Sequence, residues 1–172
     1  MKKLFSVLLI FLIIAALIPL GVFAADDTVT LKTPEDLIAL SKKCVSDTWS
    51  KGKTVVIAND IDLSGSDYSP IPLFSGKFSG GGHTVSGFSF DREGTVTGFF
   101  RRITGSGSVE NLNIKGSVRA GDSSSTVGGF VGENQGVIKN CSFSGDVSGY
   151  ESVGGFCGVN ALQGVIEKVT AM

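Results

Sequence analysis

Few residues in this 172-residue chain could do chemistry: one histidine, three cysteines and scattered carboxylates. His83 stands in "GGGHTVSG". A zinc peptidase of the H-E-x-x-H kind needs two histidines, so a single one excludes that class from this chain. His83 lies just before Val85, an inward candidate, and reads as a turn histidine rather than a ligand-contacting one. Cys44, Cys141 and Cys157 form no C-x-x-C pair. A nucleophilic thiol would need the lone histidine beside it. A Cys141–Cys157 disulfide is chemically open outside the cytoplasm. Inward positions on different faces seldom meet the Cα spacing it requires, so buried small hydrophobes are the expectation for all three.

The carboxylates can be judged only after the elements that position them. "TPEDLIALSKKCVS" predicts a helix over Pro34 to Val45. Thr33 is its N-cap, Pro34 its first residue and Asp36 the N3 member of an acidic capping box. Leu37, Leu40, Cys44 and Val45 fall on one face at helical spacing. After Gly52 the pattern changes to period two, punctuated by Gly, Ser, Asn and Asp.

That remainder is a repeat. Apolar-polar-apolar triplets begin at Ile61, Phe88, Leu112, Cys141 and Val169, with spacings of 27, 24, 29 and 28 residues. In a strand the outer two residues share a face and the middle one points away. Gly98-Phe99, Gly129-Phe130 and Gly155-Phe156 make a second anchor. Val109, Ile138 and Ile166 make a third, with Ile57 and Val85 as earlier members. Anchors kept in register at this period imply one coil per repeat, each stacked ~4.8 Å above the last. The expected fold is all-β: a right-handed parallel β-helix of about five coils, roughly 24 Å tall, with an N-terminal capping α-helix over the first coil. Ala161-Leu162 and "RAGDSSST" read as turns.

In this register a glycan-cleaving site would show acidic groups clustered on an outer face across adjacent coils. The outward ladder instead reads Asp62, Ser89, Asn113, Ser142, Thr170, a solvated face. Asp60 is followed at its position by Gly87, Asn111, Asn140 and Lys168, and the two asparagines suggest a stacked amide ladder at a bend. Asp91, Arg92, Glu93, Arg101 and Arg102 form a charged loop region, read as solvated, with a binding rim as the alternative. No G-G-x-G-x-D calcium repeat occurs. Phe99, Phe130 and Phe156 could offer a sugar-stacking platform. Their place beside glycine argues for an internal stack at a tight corner.

Composition sets the location. "MKK", the apolar run "LFSVLLIFLIIAALIPL" and "GVFAADD" follow the order of a secretory signal, with cleavage after Ala24. An uncleaved anchor over residues 1–24 is the alternative, and the only membrane contact expected. Residues 25–53 form the N-terminal segment with the helix, and 54–172 the repeats. The net charge of −1 becomes −3 without Lys2 and Lys3, so no basic field draws nucleic acid. Glycine, 24 of 172 residues, is at about twice its usual share, without a collagen period.

"GGFVGENQGVIKNC" and "GGFCGVNALQGVIEKV" resemble the GLUG motif, with Phe in the Leu place. "IANDIDLSGSDYSPIPLFSGKFSGGGHTVSGFSF" resembles the segment that often precedes such repeats in secreted bacterial proteins. The resemblance covers roughly Leu31 to Met172. It implies extracellular or cell-surface proteins in which the β-helix is a stalk or binding module. Some relatives are attached to immunoglobulin A-cleaving metallopeptidases and others to adhesin-like chains. The motif carries no catalytic residues.

The expected function is a secreted or cell-surface module with a structural or adhesive role. No catalytic, cofactor or metal residues are assigned, and the partner is an extracellular glycan or protein. The alternative is part of a larger extracellular enzyme, polysaccharide-active or peptidase-associated, whose catalytic part lies elsewhere. The last repeat reaches "VTAM" one strand into its coil. An uncapped coil exposes unpaired backbone groups, so a truncated reading frame or end-to-end stacking is expected there.

Overall fold

A computed structural model of the protein describes residues 27–92, 96–121 and 126–172. The export segment expected at residues 1–24 and the centre of the "RAGDSSST" turn lie outside them. Among the described residues no helix is long and apolar enough to cross a membrane.

The chain enters as β1 (Thr28–Leu31) and turns into α1 (Pro34–Lys43). Thr33 Oγ1 accepts the Asp36 N–H at 3.3 Å, while Asp36 Oδ2 accepts the Thr33 N–H at 3.1 Å. This is the capping box the sequence predicts, and with Pro34 it fixes where the helix starts. Leu37, Leu40 and Cys44 are buried. Val45 is not on that face; it lies in the following turn and is 69% exposed. The helix stops before it because the Cys44 carbonyl turns aside to accept the Leu73 N–H at 3.0 Å. A single turn, α2 (Asp47–Ser50), follows.

The coils then wind in order. The first holds β2 (Thr54–Ile57), β3 (Ile61–Asp62) and β4 (Ile71–Phe74). The second holds β5 (Lys77–Ser79), β6 (Thr84–Arg92), β7 (Val96–Thr97) and β8 (Phe100–Ile103). The third holds β9 (Ser108–Glu110), β10 (Asn113–Ala120), β11 (Thr126–Gly128) and β12 (Val131–Asn134). The fourth holds β13 (Val137–Lys139), β14 (Ser142–Ser144), β15 (Val147–Ser148), β16 (Ser152–Gly154) and β17 (Cys157–Asn160). Then come β18 (Val165–Glu167) and β19 (Thr170–Ala171).

Each strand pairs in parallel with its equivalent on the next coil. Four sheets result: β1-β2-β5-β9-β13-β18, β3-β6-β10-β14-β19 with β15 beside β10, β7-β11-β16, and β4-β8-β12-β17. The fold is thus the expected parallel β-solenoid of about five turns. α1 lies over the first coil, where Ser41 Oγ donates to the Ser69 carbonyl at 2.8 Å and the Cys44 carbonyl takes the outermost N–H of β4.

Like residues stack in columns, which is how short strands acquire a core. One column runs Val29, Val55, Phe78, Val109, Ile138, Ile166. Another runs Ile61, Val85, Ile114, Phe143, Ala171. The anchors read from the sequence hold in the later coils and slip in the earlier ones. Asn113, Ser142 and Thr170 do stand side by side. Thr84, not Ser89, precedes them, and Asp62 lies two positions along, beside Ser86.

The cause is a bulge in β6. Gly87 (φ +79°) is an extra residue opposite the Lys115–Gly116 step, so Val85, Phe88 and Phe90 are all buried. Period-two alternation cannot choose between those phases. Ile57 yields its place to Val55 because the two share one face of one strand, and Val85 yields to Phe78 because it belongs to another sheet.

Each later coil bends through one left-handed residue: Asn111 (φ 55°), Asn140 (φ 52°) and Lys168 (φ 53°). Gly82 (φ 83°), not Gly87, serves the preceding coil, and its N–H donates to the Asn111 carbonyl at 2.7 Å. Ala161-Leu162 forms the expected turn, with Leu162 fully exposed.

Candidate functional site

His83 is tied to its own scaffold. Its Nδ1 lies 3.3 Å from Asp60 Oδ1, and the same oxygen accepts the Thr84 N–H at 2.8 Å. The Thr84 bond first, and His83 second, hold the Asp60 carboxyl below its ordinary range. Val85 beyond it is fully buried, as expected. The cysteines are free, Cys44 and Cys141 buried and Cys157 half-buried. Burial pushes each thiol up to about 11, so none is a ready nucleophile at neutral pH. Among the described residues no group of three or more His, Cys, Asp or Glu could hold a metal ion. A buried group the sequence did not flag is Tyr68, whose hydroxyl has no partner among the described residues and whose phenol is raised by burial and then by nearby Cys44.

The outward charges alternate along the solenoid axis. Glu110 lies beside Lys139, and Lys139 beside Glu167, with Lys139 Nζ 3.0 Å from Glu167 Oε2. Asp91 lies beside Arg119. Arg102 Nη2 lies 2.7 Å from Glu133 Oε2, and its Nε donates to the same oxygen at 2.9 Å. Although burial raises Glu133, the Gln135 amide and then Arg102 outweigh it and hold the carboxyl below its usual range. Neutral amides follow the same logic: Asn140 Nδ2 donates to Asn111 Oδ1 at 3.3 Å, and Asn134 Nδ2 to Asn160 Oδ1 at 2.8 Å. Each of these carboxylates stands beside a cation on an adjacent coil rather than a second acid. That arrangement fastens coils together.

Phe99 and Phe130 are fully buried and Phe156 is 8% exposed, so they fill the interior as their glycine neighbours suggested. Phe130 and Phe156 stack with centroids 4.6 Å apart. Gly129 makes the corner: a Cβ there would meet the Gly155 carbonyl of the next coil at 2.5 Å.

A groove of about 390 Å³ is lined by Val45, Pro72, Leu73, Val96, Arg101 and Arg102. Of the charged cluster expected as a loop, Arg101 and Arg102 lie on β8; Glu93 and the Arg92 side chain lie outside the described residues. Strict alternation would send two adjacent arginines to opposite faces. Here Phe100 and Ile103 are both buried, and the two residues between them face out. β4 repeats this, burying Ile71 and Phe74 and turning Pro72 and Leu73 outward. Stacking β4 on β8 therefore sets an outward apolar pair beside an outward arginine pair, Leu73 next to Arg102. Arg101 is exposed, and its Nε donates to the Val96 carbonyl at 3.0 Å.

Residues 123–148 match the family described as "The GLUG motif". Halomucin from Haloquadratum walsbyi is 32% identical over 115 residues, which is 62% of this chain and 1% of that protein. A solved chain from Bacteroides ovatus, provisionally assigned as an immunoglobulin A1 protease, superposes with a TM-score of 0.60 at 18% identity. That match covers 82% of this chain and 47% of the other, and shows a shared fold. This chain thus spans only a small part of the first relative and about half of the second. The match at residues 123–148, of which 126–148 lie on coils three and four of a parallel β-solenoid, identifies this chain as a bearer of the GLUG motif.

Proposed function

We propose that this chain is a secreted or cell-surface β-helical module with a structural and adhesive role and no catalysis of its own. The observation that carries the reading is the use of its polar groups. Outward carboxylates and amides are engaged between coils, as in Arg102–Glu133, Lys139–Glu167 and Asn140–Asn111, which builds a rod rather than a reaction centre. The groove at Arg101 is a concave outer surface in which that cation has no carboxylate partner among the described residues. The likeness to a protein named halomucin and the GLUG motif support an extracellular setting. The test is binding of the purified chain to a glycan array and to a panel of extracellular-matrix proteins. Saturable binding to one of them is expected, and silence on both removes the adhesive half.

A further inference from the structure

We infer that the groove on the outer face of β4 and β8 receives a carboxylate and an adjoining aliphatic side chain of a partner protein. The inference rests on the adhesive reading and names the partner's chemistry. Arg101 supplies the charge. Its Nε is spent on the Val96 carbonyl at 3.0 Å, which fixes the plane of the guanidinium and leaves the terminal amino groups without an acceptor among the described residues. A planar, pre-oriented donor pair suits a carboxylate. Arg102, beside it, is already neutralised by Glu133, so among the described residues Arg101 is the unmatched positive charge of the groove.

The remaining walls are aliphatic: Val45 is 69% exposed, and Pro72, Leu73 and Val96 are half-buried. Among the described residues no hydroxyl, amide or carboxylate side chain lines the groove, so its described walls offer the hydroxyls of a sugar few partners. A carboxylate on a hydrocarbon body satisfies both halves. The backbone takes no part, because β4 pairs with β8 on one side and bonds Cys44 on the other, while β8 also pairs with β12. Strand addition is closed at this place, and recognition is by side chains.

The experiment follows the NMR signals of the purified, isotope-labelled full chain. The probes are 4-methylpentanoate, its neutral amide, the capped tripeptide Leu-Asp-Leu, and galacturonate. The tripeptide and 4-methylpentanoate are expected to shift the Arg101 Nε–H and the methyls of Val45, Leu73 and Val96 saturably. The neutral amide should bind about tenfold more weakly, because a charge-assisted hydrogen bond is lost. Arg101→Gln should reproduce that loss for the carboxylates and leave the amide unchanged, while Arg101→Lys should recover only part of it. Arg101 is exposed, so a fold intact by circular dichroism is expected; Val45→Ser, which keeps the arginine, gives an independent weakening of the tripeptide. Equal binding of acid and amide overturns the inference, as do shifts outside the groove. Galacturonate binding more tightly than the tripeptide assigns the groove to acidic glycans and also overturns it. Silent probes with a positive matrix or glycan assay would sink the groove and spare the adhesive reading.

Discussion

Asn140 holds a backbone conformation, φ 52°, that costs most residues about 1–2 kcal/mol. Its amide offsets part of this by donating to Asn111 Oδ1 on the coil before. Two substitutions separate the contributions. Asn140→Ala loses the amide bond and keeps the strained φ, and should destabilise the chain by about 1–2 kcal/mol. Asn140→Gly loses the same bond but is at ease at positive φ, and should cost under about 1 kcal/mol. Denaturant unfolding measures both; equal losses would mean that the amide ladder, not the backbone, is what the position needs. The ladder was legible because two asparagines recur 29 residues apart at a bend. Gly82 in the same role was not, since three consecutive glycines give no phase. Tyr68 was invisible for another reason: that its hydroxyl has no partner among the described residues depends on residues far away in sequence.

Helix α1 was legible at its start and illegible at its end. Thr33, Pro34 and Asp36 are local signals, and the structure uses all three. Its stop is tertiary, set by the bond between the Cys44 carbonyl and the Leu73 N–H, and this releases Val45 into the groove. The groove was half legible in the same sense. Two adjacent arginines stood out, but their shared face follows from strands that bury both ends and expose the middle, which no period-two reading anticipates. The helix cap allows a clean test. Asp36 Oδ2 accepts both the Lys32 and Thr33 N–H groups, at 2.8 and 3.1 Å. Asp36→Ala should lower stability by about 1 kcal/mol, as loss of a capping residue does. Asp36→Asn, which keeps an acceptor oxygen, should cost less. Thermal unfolding followed by circular dichroism compares them, and no change in either variant would show that α1 is held by Leu37, Leu40 and Cys44 alone.

A solenoid is stable in proportion to how many neighbours each coil has, so protection should vary along the axis rather than be uniform. Equivalent positions display the gradient. Val127 is fully buried and its partner one coil on, Val153, is 43% exposed. Phe143 is 1% exposed, while Ala171 beside it is exposed. Asn134 is wholly buried and Asn160 exposed. Coils two and three each have a coil on either side and share the long β6–β10 pairing, so they are well covered. Native-state hydrogen exchange should therefore open β16 to β19 first and β10 and β12 last, with α1 guarding the opposite end. Equal protection in every sheet would instead show that the columns of Phe and Ile couple all coils into one cooperative unit, and the nearest-neighbour account of this rod would then fail.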